Sequence, residues 1–148
     1  MCSLMIPAYG YNRQMQKLAL AISVVFSLTI YSSASSTEWT KVSEKIEGTY
    51  YVDIAGIRKL DGYVYFWEVI NFSEPTKYGM MSGKVDIQGD CDLFQYKRLG
   101  VSLHKEPMGE GIGKIFPVPD EWKYPTRGSA IEDILKTICI IVQKYREQ

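Results

Sequence analysis

The sequence has one histidine among its 148 residues, His104, and no excess of either charge, with 17 basic and 17 acidic side chains. A single imidazole excludes metal sites built from several histidines, and it limits histidine acid–base chemistry to one ring. Proteins that bind a nucleic-acid backbone need a basic excess, so we expect no nucleic-acid partner. The composition, 46% hydrophobic and 13% aromatic, is typical of one ordinary folded domain.

The chain also lacks an uncharged apolar run long enough to cross a bilayer. Near its start, Arg13 and Lys17 precede a short apolar stretch that ends in small residues at Ala34. This order is typical of a secretory signal peptide, and the stretch is shorter than the ~20 residues of a membrane-spanning helix. We predict a signal peptide over residues 1–34, with Met15 as an alternative start of translation, and no transmembrane anchor after cleavage.

Cysteine is missing at the end of this signal, where residues 32–36 are serine and alanine. A lipoprotein would need a cysteine there for lipid attachment, so we do not expect a lipid anchor. The predicted location is the periplasm, the cell surface or the medium.

The chain has three cysteines, Cys2, Cys91 and Cys139, and Cys2 would leave with the signal peptide. Oxidising conditions outside the cytoplasm favour pairing of the other two, so we predict one disulfide between them. The alternative, a cysteine nucleophile assisted by His104, needs a reduced and ionised thiol, which an oxidising compartment disfavours.

After residue 34 the pattern is typical of strands followed by one helix. Alternating β-branched and aromatic residues predict strands over 49–54, 57–60, 63–72, 80–88, 93–104 and 110–118. Asp61 and Gly62 are suited to a two-residue hairpin turn, because both tolerate positive φ. Residues 63–72 are apolar on both faces, which predicts a central strand.

Past Pro125 the apolar period becomes helical, with Ser129 placed as the N-cap and acidic residues in the first turn. We therefore predict an α+β fold, a bent antiparallel sheet of about five to six strands with one C-terminal helix packed on it. A disulfide from Cys139 to Cys91 would hold that helix to the sheet. One helix cannot cover both sheet faces, so the other face either curls on itself or packs against a second copy in a homodimer.

No motif in the chain assembles a recognisable catalytic, cofactor or metal site. Residues 109–114, GEGIGK, lack the spacing of a phosphate-binding loop, and turn glycines explain them better. Asp86, Asp90 and Asp92 lack the spacing of a calcium loop, so we interpret them as solvated acids at a strand end. His104 has no partner at motif spacing, and we expect it to be a structural histidine. We predict no catalytic residues, no cofactor and no metal.

The order of features along the chain resembles the surface-adhesin protein E-like family of Gram-negative bacteria. The resemblance covers roughly residues 38–142 and is carried by Trp39, 50–53, 57–60, 65–67, Asp90 and Cys91, 96–98, 108–113, Trp122, Pro125, Ser129 and Cys139. It implies a single domain over residues 35–148, with a strongly bent sheet and a C-terminal helix tied down by the disulfide.

For function, the resemblance implies a module that binds host extracellular-matrix or serum proteins and is not an enzyme. Candidate contact residues are Tyr96, Lys97 and Arg98, which combine two cationic groups with an aromatic ring. Two alternatives stay open: a periplasmic envelope enzyme that uses His104 or an acidic pair, and a protein that resembles a lysozyme inhibitor.

Overall fold

A computed structural model describes residues 37–145, and the predicted signal peptide lies outside this range. The described part is one antiparallel sheet of seven strands with a single α-helix and one short 3-10 turn at Pro107–Gly109. The elements are β1 Trp39–Lys45, β2 Gly48–Asp53, β3 Arg58–Leu60, β4 Tyr63–Phe72, β5 Ser82–Asp90, β6 Gln95–His104, β7 Lys114–Phe116 and α1 Ala130–Lys144. The predicted α+β fold with one C-terminal helix is therefore confirmed.

The strand order is β1-β2-β4-β5-β6-β7, and β3 continues the edge of β4 beyond β2. β4 is central, as its two apolar faces predicted. The turn from β3 to β4 has positive φ at both Asp61 (51°) and Gly62 (86°), the conformation that a tight hairpin requires.

The sheet has seven strands, one more than the five to six predicted from the sequence. β1 was missed because its sequence, WTKVSEK, is mostly polar and most of its side chains are at least partly exposed. Its pairing with β2 is what makes it a strand. At the other edge, β7 covers only part of the predicted 110–118 strand, because the preceding residues turn around His104 and Pro117 follows it directly.

The helix covers one face of the sheet, which we call the helix side. Ile134, Leu135 and Ile138 are fully buried against residues of β2, β4 and β5 that share this face. Gly89 on β5 permits the close approach, since a Cβ atom there would lie 2.9 Å from both Leu135 and Val64. The helix begins at the predicted N-cap, where the Ser129 hydroxyl accepts a hydrogen bond from the Glu132 amide at 3.3 Å.

The predicted disulfide is present and joins the helix to the end of β5. Cys91 directly follows β5 and Cys139 lies in α1, with a Cα–Cα distance of 5.5 Å and a sequence separation of 48. Among residues 37–145 no helix is long and apolar enough to span a membrane.

Candidate functional site

The three sequence-predicted contact residues lie on consecutive positions of β6 and therefore do not share one face. Tyr96 is buried on the helix side, and the Arg98 guanidinium lies 5.3 Å from its ring. Lys97 points to the other face, where its ammonium contacts Asp120 at 2.7 Å and lies 5.4 Å from the Trp122 ring. The fold thus brings Tyr96 and Arg98 together and separates Lys97 from them.

His104, the one histidine of the sequence, is buried, and both of its ring nitrogens are engaged by hydrogen bonds. Nδ1 lies 3.0 Å from the Glu110 carbonyl oxygen, and Nε2 lies 2.8 Å from the Ser102 hydroxyl. Because a carbonyl only accepts, Nδ1 donates, and in the neutral ring Nε2 then accepts from the Ser102 hydroxyl. Gly113 packs on the ring, where a Cβ atom would come within 2.5 Å of it. These contacts anchor the glycine-containing turn to β6 and leave neither nitrogen free for a substrate.

The interpretation of the three aspartates as solvated acids is wrong for Asp90, which is buried, and holds for Asp92, which is exposed. Asp90 is buried and closes the β5–β6 turn, where its carboxylate accepts hydrogen bonds from the amides of Asp92 and Leu93 and from the Gln95 side chain. Asp86 lies upstream on β5. No group of three metal-ligating side chains is found within the described range.

The sheet face opposite the helix carries a row of partly exposed aromatic side chains. We call this surface the open face and define it by six residues on four adjacent strands: Trp39, Tyr51, Tyr65, Trp67, Lys84 and Asp86. The Lys84 ammonium lies between the two indoles, 4.8 Å from the Trp67 ring and 5.7 Å from the Trp39 ring. Amphipathic aromatic rings of this kind are enriched at protein interfaces.

Asp86 is the one acidic member of the open face. Its Oδ1 is buried and has no hydrogen-bond partner among the described residues. Burial raises the pKa of this carboxyl, and the Arg58 charge and the Ile87 amide partly oppose that effect. Arg58, Asp86, Tyr65 and Leu99 line a shallow depression of about 570 Å³ beside the aromatic row. The open face therefore offers an apolar surface with both a cation and an unsatisfied acceptor.

A second concave feature lies on the helix side, over the part of the sheet that α1 leaves uncovered. This helix-side cavity has a volume of about 400 Å³. Its floor is formed by β2, β4, β5 and β6, and residues 116–123 form one wall. The lining residues that carry the later argument are Tyr50, Glu68, Tyr96, Arg98, Phe116 and Glu121.

Glu68 lies in the floor of this cavity and is 7% exposed. Burial raises the pKa of its carboxyl to about 7, and the positive charge of Arg98 opposes the shift. No side-chain hydrogen bond joins its carboxylate to a described residue, and its oxygens are not fully enclosed, since Asp86 Oδ1 is the one fully enclosed oxygen without a partner in that range. The hydroxyl of Tyr50 donates a hydrogen bond to the Glu47 carboxylate at 3.0 Å. Burial and this hydrogen bond hold the pKa of Tyr50 above its ordinary value.

The sequence did not single out Glu68, although a signal was present. Glu68 is the only charged residue in β4, a strand whose two faces are otherwise apolar or aromatic. A lone carboxylate at the middle of a predicted central strand is a buried charge, and buried charges without partners are expensive and often functional.

Comparison with known proteins gives a consistent result. Residues 39–140 match the family model described as surface-adhesin protein E. A solved structure of Haemophilus influenzae protein E superimposes with a TM-score of 0.57 at 17% identity, covering 75% of this chain and 93% of that one. A crystal structure of protein E from non-typeable Haemophilus influenzae gives 0.54 at 16% identity, covering 73% and 79%. No curated protein matches the sequence significantly.

Proposed function

Because the chain belongs to the surface-adhesin protein E family, we propose that it is an exported binding module that contacts host extracellular-matrix or serum proteins. The family is one of adhesins and not of enzymes, and the one histidine of the chain has both ring nitrogens engaged by the fold. The proposal includes removal of residues 1–34 as a signal peptide and no lipid anchor.

We propose the open face as the surface that contacts the protein partner. The supporting observation is the unpartnered row of Trp39, Tyr51, Tyr65 and Trp67 around Lys84. Tryptophan, tyrosine and arginine supply most of the binding energy at protein interfaces, usually near the centre of the contact. Lys84 and Arg58 together favour a partner segment that carries carboxylates beside apolar side chains.

The test is surface plasmon resonance of the exported protein over immobilised extracellular-matrix and serum proteins. We expect Trp67→Ala and Lys84→Glu each to weaken binding at least tenfold, about 1.4 kcal/mol. Tyr124→Ala is the matched control, because Tyr124 is an aromatic residue that is 72% exposed and lies outside the open face. Retained affinity in Trp67→Ala and Lys84→Glu, or no binding of the unaltered protein to any host protein, would contradict the proposal.

The contact residues predicted from the sequence stay predictions. Lys97 is on the same side of the sheet as the open face. The binding measurement with Lys97→Glu therefore tests whether the contact extends to the edge of the open face. A homodimer is the competing occupant of the open face, because a second copy there would cover the residues assigned to the host partner, and sedimentation of the unaltered protein beside Trp67→Ala tests it. A dimer that the substitution dissociates supports it, whereas a monomer at high concentration contradicts it.

A further inference from the structure

We infer that the helix-side cavity is a binding site for a small amphipathic organic cation, whose ammonium group contacts Glu68 while its apolar body lies against the cavity wall. The site is on the opposite sheet face from the open face, and it does not depend on the proposed function. Three properties of the cavity carry the inference: its size, its one unpartnered acid and the groups that face that acid.

The size and lining of the cavity are those of a small-molecule site. Its volume of about 400 Å³ lies within the range of about 300–1,000 Å³ that such sites occupy. The walls are mostly aliphatic and aromatic, with Ile70, Val85, Val101, Leu103, Phe116 and Pro117 among the lining residues. An apolar ligand body would bury these side chains from water, which favours binding in proportion to the area covered.

The acid in the floor selects the charge of the ligand. Glu68 is 7% exposed and accepts no side-chain hydrogen bond within residues 37–145. Ionising it in this position is unfavourable unless a cation or a donor reaches it. A ligand ammonium would supply both the charge and the hydrogen bonds, because it carries up to three N–H donors.

Arg98 acts on Glu68 through its charge, but neither it nor any other charged group that lines the cavity donates a hydrogen bond to the Glu68 carboxylate. The Tyr50 hydroxyl already donates to Glu47 on the β1–β2 turn, and Arg98 on β6 is exposed and stacked on the ring of Tyr96. On the 116–123 wall, Glu121 and Lys123 are both exposed, and Lys123 contacts Glu121 at 2.7 Å. The helix contributes no charged group to the lining. An anionic ligand would instead have to lie against Glu68.

The aromatic rings of the cavity strengthen the preference for a cation. Tyr50, Tyr96 and Phe116 line it, but Arg98 already lies 5.3 Å from the Tyr96 ring and Lys114 lies 5.4 Å from the Phe116 ring. Among these described residues Tyr50 therefore supplies the ring for a ligand ammonium, whose attraction to a ring face is strongest where water is excluded. One buried acid beside such a ring suits an aryl- or alkylammonium ion.

The experiment measures binding of 2-phenylethylammonium to the exported protein by calorimetry and by backbone amide NMR, with 2-phenylethanol and 3-phenylpropionate as neutral and anionic comparators. We expect the cation to bind best and to shift backbone amides around the cavity, while the indole N–H signals of Trp39 and Trp67 on the open face stay unchanged. Glu68→Gln keeps the size of the side chain and should weaken binding at least tenfold at pH 8. Glu74→Gln removes an exposed acid that lies outside the cavity and should change the affinity less than threefold.

A measurement on the unaltered protein keeps the test valid if Glu68→Gln does not fold. With the Glu68 carboxyl titrating near pH 7, the ionised fraction rises from about one tenth at pH 6 to about nine tenths at pH 8. Binding of the cation should therefore strengthen about tenfold over this range, whereas binding of the alcohol should not. Equal binding of alcohol and cation, stronger binding of the anion, a pH-independent affinity or no binding of the cation would each overturn the inference.

Discussion

Glu68 makes the stability of this fold depend on pH in an unusual direction, and Glu68→Gln tests this. Burial raises the pKa of the carboxyl from 4.5 to about 7 in the folded protein, so the folded state binds the proton more tightly than the unfolded chain. The tighter proton binding therefore adds its full amount to the free energy of unfolding below pH 4.5. This amount declines as the pH rises toward 7 and is lost above that pH. At about 1.4 kcal/mol per pH unit, the loss is about 3 kcal/mol.

The assay is urea unfolding between pH 5 and pH 8.5 with the disulfide kept oxidised. We expect Glu68→Gln to be about as stable as the unaltered protein at pH 5 and more stable by about 2–3 kcal/mol at pH 8. Subtracting the free energies of unfolding of the two proteins removes the contribution of every other titrating group. These groups include Glu44, Glu132 and Asp133, whose carboxyl pKa values are lowered in the folded protein.

Glu44→Gln is the matched control for this experiment. Glu44 lies on β1, is paired with the exposed Lys41, and its lowered pKa gives it the opposite sign of pH dependence, present above pH 4.5 and lost as the pH falls. The free energy of unfolding of Glu44→Gln should therefore differ from that of the unaltered protein by a constant amount from pH 6 to pH 8.5. If the difference between Glu68→Gln and the unaltered protein is also constant over that range, the buried and unpartnered state assigned to Glu68 is wrong.

Three further variants test the packing of the helix. Replacing Cys91 and Cys139 by serine should lower the free energy of unfolding by up to about 4 kcal/mol, the chain-entropy value for a separation of 48; a loss below 1 kcal/mol in urea would mean that the helix does not depend on the bridge. Gly89→Ala should destabilise the protein by about 1–3 kcal/mol, since the new methyl would lie 2.9 Å from Leu135. An unchanged midpoint of urea unfolding would show that the helix does not pack so closely on β5. Ser129→Ala should lower stability by about 1 kcal/mol through loss of the N-cap, with no effect expected if the helix begins elsewhere.

Much of the fold could be predicted because local chemistry and tertiary packing agree. The Asp61-Gly62 turn, the two-sided apolar character of β4 and the cap at Ser129 each specify their element from nearby residues alone. β1 could not be found in this way, since its polar sequence forms a strand only by pairing with β2. Strand pairing is a contact between distant parts of the chain, and the pattern of one strand does not contain it.

The candidate sites were harder to predict than the fold for the same physical reason. The sequence pointed to Tyr96, Lys97 and Arg98 as one patch, but consecutive residues of a strand alternate between faces, and only Tyr96 and Arg98 meet. The open face requires Trp39 and Trp67 to lie on either side of Lys84, and these residues are close only because β1, β2, β4 and β5 are adjacent in the sheet.

Glu68 and Asp86 lie on neighbouring strands and on opposite faces of the sheet, and neither carboxyl is well satisfied by the described residues. Burial raises the pKa of both, which means that each lowers the stability of the folded protein at neutral pH. If either residue served only to support the fold, a neutral side chain of the same size would give a more stable protein at neutral pH. If Glu68→Gln gains stability and loses the cation in the same preparation, stability and binding oppose each other at this position, as expected of a functional residue. A gain in stability with binding intact would instead make Glu68 an uncompensated buried acid without a role in the cavity.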